Sequence, residues 1–88
     1  MTEGQIKFRV MVEDYPQIAC YWDFDVMEAK VSSSEGLPLS RGERLMVDFF
    51  LSVWFNRNQN FDFIDAAGVL SSDNRHVIME WFLAPFWP

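Results

Sequence analysis

Hydrophobic and polar positions change period along this chain. From Ile6 to Val12 the apolar residues Ile6, Phe8, Val10 and Val12 alternate with Lys7 and Arg9, while Met11 fits neither set. That alternation predicts a half-buried strand. Asp14-Tyr15-Pro16 reads as a turn, after which Ile18, Cys20, Trp22 and Phe24 share one parity and Ala19, Tyr21, Asp23 and Asp25 the other. The two runs together predict an antiparallel hairpin. Matching of their apolar faces would set Val12 opposite Ile18, Val10 opposite Cys20, Phe8 opposite Trp22 and Ile6 opposite Phe24, with Lys7 across from Asp23 and Arg9 across from Tyr21 on the outer face. The segment Val26–Val31 suits either a third strand or a helical turn around Met27-Glu28-Ala29-Lys30. The strand is favoured, because a lone hairpin is a small sheet for the helix that follows.

Past the polar link Ser32-Ser33-Ser34-Glu35-Gly36 the period lengthens. Ser40–Arg57 opens with Ser40-Arg41-Gly42-Glu43, the S-x-x-E pattern in which the hydroxyl and the carboxylate each cap the other's backbone amide. At helical spacing Arg41, Arg44, Asp48, Ser52 and Asn56 form a narrow polar strip, and Leu45, Met46, Val47, Phe49, Phe50, Val53 and Trp54 occupy most of the remaining surface. Such a helix must be covered on more than one side, and its charges make it unsuited to a membrane span. Downstream, Asn60 is a candidate cap for a short helix within Phe61–Leu70, with Phe61, Ile64 and Ala67 inward and Asp62 and Asp65 at the positive end. Ser72 or Asp73 would cap a last helix reaching about Leu83, with Val77, Ile78, Trp81 and Phe82 inward, His76 and Glu80 outward, and Pro85 as its stop. Trp22, Phe50, Trp54 and Trp81 are expected to meet in one core. The tail Pro85-Phe86-Trp87-Pro88 either packs over the long helix or stays exposed. These elements amount to an α+β domain spanning residues 1–88, in which an N-terminal antiparallel β-hairpin, with or without a third strand, packs on one long central helix and two shorter C-terminal helices.

Composition narrows the functional classes. With 88 residues, half of them hydrophobic, the chain can bury one core without metal or disulfide staples. Thirteen acidic against seven basic residues give a net charge of −6, which disfavours a phosphate backbone as partner. The single cysteine, Cys20, excludes an internal disulfide, and the polar start MTEGQIKFRV does not read as a leader, so an intracellular, cytoplasmic protein is expected.

Candidate chemistry is sparse. Cys20 and His76 are the sole thiol and imidazole, and strand alternation would bury Cys20 as a small, unreactive hydrophobe. Phosphate loops, nucleophile elbows and zinc motifs are missing from the sequence. Asp23, Asp25 and Glu28 lie close together, but Phe24, Val26 and Met27 between them are wrong for a calcium loop. Asp62 and Asp65 are explained by the helix dipole. No catalytic residue, metal or cofactor is therefore assigned. Between residues 10 and 40, Glu13, Asp14, Asp23, Asp25, Glu28 and Glu35 face only Lys30, so this half carries the field. Phe55, on the polar strip, and the terminal Phe86 and Trp87 could add an exposed apolar patch. The reading is a small acidic non-enzymatic protein that binds another protein through Glu13, Asp14, Asp23, Asp25, Glu28, Phe55, Phe86 or Trp87. As an inhibitor or adaptor, of the kind phages and mobile elements carry, it would occupy a basic or nucleic-acid-binding surface of its target, without itself contacting nucleic acid or membrane. The alternatives are a homo-oligomeric structural subunit that self-associates through its aromatic patch, and a small carboxylate-based enzyme.

Overall fold

Residues 6–12, which alternate as a strand would, lie within a helix. In the computed structural model, which describes residues Met1–Pro88, α1 spans Glu3–Glu13. Its start is a capping box: the Thr2 hydroxyl accepts from the Gln5 amide at 3.1 Å, and Gln5 Oε1 accepts from the Thr2 amide at 2.9 Å. Ion pairs one turn apart, Glu3 with Lys7 at 3.2 Å and Arg9 with Glu13 at 3.4 Å, support the same conformation. Only half of the apparent strand face is buried. Phe8 and Val12, four residues apart, are fully inside, whereas Ile6 is half exposed and Val10 is 62% exposed. The predicted strands at 6–12 and 18–24, and their register, are thereby corrected. Tyr15, held out of the helical region before Pro16, turns the chain into α2, Pro16–Ala19, a single turn that buries Ile18.

The hairpin of this α+β fold lies later and is shorter. β1, Trp22–Asp23, pairs antiparallel with β2, Glu28–Ala29, so that Trp22 faces Ala29 and Asp23 faces Glu28. A hydrogen bond from the Lys30 amide to the Tyr21 carbonyl, at 2.8 Å, extends the ladder. The sheet has two strands, and the expected third strand over 26–31 resolves into the turn and the second strand of this hairpin.

The long helix is where the sequence places it. α3, Arg41–Phe55, carries the Ser40–Glu43 capping box. It ends on Asn56 in the left-handed region, with the Arg57 amide reaching back to the Ser52 carbonyl at 3.1 Å. α4, Phe63–Val69, is capped by Asp62 and not by Asn60: Asp62 Oδ1 accepts from the Asp65 amide at 2.9 Å. That cap is used with a different helical phase, so Ala66 and Leu70 are buried while Ile64, expected inward, is 79% exposed and Ala67 also faces out. α5, Ser72–Leu83, is capped by Ser71, one residue before the expected position. Ile78 is buried, and Val77 and Trp81 are partly so, but Phe82 is 67% exposed. None of these helices is long and apolar enough to cross a membrane.

The core forms around α3 in two aromatic groups. Phe8 is the centre of the first, with ring centroids 5.4 Å from Trp22, 5.0 Å from Trp54 and 6.3 Å from Phe50. Packing alone holds the Trp22 ring, because its indole N–H is buried without an acceptor. The second group is Phe49 with Phe61 at 5.7 Å and Trp81 at 5.6 Å. Three of the four expected core aromatics, Trp22, Phe50 and Trp54, therefore meet, and Trp81 packs instead on Phe49, the neighbour of Phe50 in sequence. Consecutive helix residues point about 100° apart, so the Phe49–Phe50 pair divides the helix between two covers.

Phe8→Ala should destabilise the protein by about 3–5 kcal/mol, the range for a large aromatic deleted from a core. Ile64→Ser, on the exposed side of α4, should stay within about 0.5 kcal/mol of the parent. Urea denaturation of these variants and of Val10→Ala, which should cost far less than Phe8→Ala, checks both helical phases, since a strand over 6–12 makes Phe8 and Val10 equivalent and a helix capped by Asn60 places Ile64 inside.

Candidate interaction surface

The hairpin turn gathers the acidic residues 23, 25 and 28. Asp23 Oδ1 accepts from the amides of Asp25, at 3.0 Å, and Val26, at 3.4 Å, so its carboxylate shapes the turn. Asp25 and Glu28 are exposed, and Glu28 stands directly across the ladder from Asp23. Like charges at opposed positions are unfavourable. The ion pairs of the molecule join Glu3 to Lys7, Glu13 to Arg9 and Asp65 to Arg41, and the His76 imidazole lies against Glu80, which leaves the hairpin carboxylates without a cation. Groups of three or more side chains placed to hold a metal ion do not occur.

Of the other acidic candidates, Glu13 is paired locally and Asp14, at the end of α1, is exposed. Glu13 holds Arg9, whose guanidinium also lies 5.2 Å from the centre of the Phe24 ring. Asp14 neighbours Tyr15, whose hydroxyl donates to Asn74 Oδ1 at 2.7 Å and ties α5 to the end of α1. Burial, followed by the negative charges of Asp14 and Asp73, pushes the Tyr15 phenol above its ordinary pKa.

Of the aromatic candidates, Phe55 is exposed with the Arg57 guanidinium 5.9 Å over its ring. Phe86 is partly buried against the core, and its carbonyl accepts from Trp81 Nε1 at 3.0 Å. Trp87 lies edge-on to Trp81 at 5.9 Å and keeps half its surface in water. Gly4 in α1 seats this tail, because a Cβ there would overlap the Trp87 carbonyl oxygen. The tail is thus packed through Phe86 and open at Trp87.

A larger apolar surface lies on α4 and α5, where Phe63, Ile64, Met79, Phe82 and Leu83 are exposed. Sequence reasoning missed it by starting α4 at Asn60; Asp62 as cap, three residues before Asp65, was the available signal. Three open hollows flank α5. One of about 100 Å³ lies against α4, one of about 400 Å³ against α1, and one of about 340 Å³ at the end of α3. The α1 hollow includes Asp14 and Glu80, but Glu80 is engaged by His76 at 2.9 Å and the walls hold no hydroxyl or thiol. Cys20, expected inside, is exposed, because α2 ends there and turns its side chain outward, with Sγ 3.4 Å from the Gln17 carbonyl.

Asp48, on the polar strip of α3, has a structural task. Its carboxylate accepts from the Ser34 amide at 3.1 Å and hydroxyl at 2.9 Å, pinning the serine link to the helix and making Ser34 the one buried polar residue. Partial burial raises its pKa, and the two bonds from Ser34 oppose that shift without cancelling it. Glu43 shifts downward, chiefly through the backbone hydrogen bond of its capping box.

Comparison of the chain with protein-family models, with curated proteins and with solved structures gives no match.

The Asp48 shift has a definite sign. The folded state keeps a proton on Asp48 at pH values where the unfolded chain, with an ordinary value of 3.8, has lost it. This contribution therefore decreases as pH rises from 3.8 through the folded-state value. Subtracting the unfolding free energy of Asp48→Asn from that of the parent across this range should give a difference that declines with pH; a rising difference contradicts the burial effect. Ellman's reagent should label Cys20 in the native protein at a rate close to that in denaturant, and strong native protection would place the thiol inside.

Proposed function

We propose that the protein works by binding another protein, without catalysis or cofactor, and that its acidic hairpin turn meets a basic surface of that partner in the manner of an inhibitor or adaptor. What supports this reading is the unneutralised placement of Asp25 and Glu28, with Glu28 set across from Asp23, in a chain of net charge −6. Opposed carboxylates on a two-stranded hairpin weaken the fold locally, and a basic partner would convert that repulsion into attraction and speed association. A basic surface of this kind includes the nucleic-acid-binding face of a target. An intracellular setting belongs to the same proposal.

Self-association is the second reading, favoured by the apolar surface of α4 and α5 and the half-exposed Trp87. Solution mass distinguishes the two, because a heterotypic binder is a monomer at low concentration.

Affinity capture from the native host with mass spectrometry should return a specific partner with a basic contact surface. Asp25→Lys with Glu28→Lys should then leave the fold intact, slow association and flatten its salt dependence. Asp23 is kept, since its carboxylate forms the turn. Association kinetics that do not change in the double variant across a salt series would sink the proposal.

A further inference from the structure

The hollow between α4 and α5 and the hollow at the end of α3 are adjoining parts of one surface: Phe61, Phe63 and Ile78 line both. On α5, Arg75, Ile78, Met79 and Phe82 follow at i, i+3, i+4 and i+7, one stripe about 10 Å long at the helical rise. Met79 and Phe82 on that stripe, and Phe63 beside it on α4, are 48%, 67% and 57% exposed. A soluble fold has no need to align large apolar side chains beside two hollows, and such a surface marks a contact site.

Charge says what kind of contact. The chain carries thirteen carboxylates, yet none lines either hollow, and the only charged lining residues are Arg57 and Arg75. Neither arginine has a carboxylate partner: Arg57 lies over the Phe55 ring, and Arg75 Nη1 donates to the Ala67 carbonyl at 3.2 Å. Most of the donor groups of each guanidinium remain free. We infer that this face docks an amphipathic helix of a partner protein, whose apolar residues seat against Phe63, Ile78, Met79 and Phe82 and whose flanking carboxylates meet Arg57 and Arg75. The spacing of the stripe matches the i, i+3, i+4, i+7 anchors of a helix laid in a groove. A second copy of this chain is the poorer occupant, because a two-fold contact centred here would oppose each copy's arginines to those of the other. The surface is separate from the acidic hairpin and has the opposite charge preference, so the two would let the protein hold a basic and an acidic partner together.

The probe is a synthetic helical peptide with Leu at i, i+3, i+4 and i+7 flanked by Glu, and its counterpart with Lys in place of Glu. Each is titrated into the ¹⁵N-labelled full-length protein and followed by amide chemical shifts. The Leu/Glu peptide should move the amides of Phe63, Ile78, Met79 and Phe82 and bind more tightly than the Leu/Lys peptide at this face. Met79→Ser with Phe82→Ser should weaken it by about tenfold or more, as expected for the loss of two apolar contacts. Arg57→Glu with Arg75→Glu should reverse the preference between the peptides. The inference is overturned by a Leu/Glu peptide that leaves these amides unmoved, by equal binding to the Met79/Phe82 variant, or by no preference for Glu over Lys. A concentration-dependent dimer abolished by Met79→Ser with Phe82→Ser would assign the face to a second copy instead.

Discussion

The fold depends on one constraint, the width of the apolar surface on α3. Leu45, Met46, Val47, Phe49, Phe50, Leu51 and Val53 are all buried, which a helix resting on a single neighbour could not achieve. Phe50 and Trp54 are covered by Phe8 of α1 and Trp22 of the hairpin, while Phe49 is covered by Phe61 and Trp81. The N-terminal and C-terminal halves of the chain are in effect two lids on one helix. A two-residue β-ladder would be marginal alone; here it persists because Trp22 is anchored in the aromatic group.

Polar ties fix how the lids sit. Asp48 holds the serine link, Glu43 Oε2 accepts from Gln17 Nε2 at 2.9 Å, and Tyr15 reaches Asn74 across the molecule. Apolar contacts are non-directional, so these bonds contribute more to orientation than to total stability. Asp48 and Glu43 thus anchor both the link before α3 and the short helix α2 to the same scaffold. With the aromatic core occupied by internal packing, what stays exposed is peripheral: a hairpin turn bearing carboxylates without a cation, and the outer surface of α4 and α5 bearing apolar side chains with Arg57 and Arg75.

How much of this was legible in the sequence differs by element. α3 was readable except for its last two residues, since its capping box and its narrow polar strip are local features that agree with one another, whereas the left-handed Asn56 ends the helix before Arg57. The outward His76–Glu80 pair and the end of α5 near Pro85 were readable for the same reason. The acidic character of the first half is a matter of composition and needed no fold. Of Asp23 and Asp25, which the alternation places outward, Asp25 is exposed here by way of a turn, and Asp23 is only partly so because its carboxylate forms that turn.

What tertiary structure alone decided is which of two compatible periods the first half would adopt, and which apolar residues would stay outside. Ile6, Phe8, Val10 and Val12 satisfy a period of two, but Phe8, Met11, Val12 and Tyr15 satisfy 3.6, and a short apolar run does not choose between them. The Thr2–Gln5 capping box and the Glu3–Lys7 pair tilt the balance locally. The decisive term is the seat for Phe8 between Trp22 and Trp54, residues 14 and 46 positions away that come together only on folding. The same holds for the exposed Phe82 and the packed Phe86. Both are phenylalanines near the C-terminus, and which one is buried depends on whether the backbone after Pro85 can turn back to meet Trp81 and Gly4, a question of three-dimensional fit that no local pattern records.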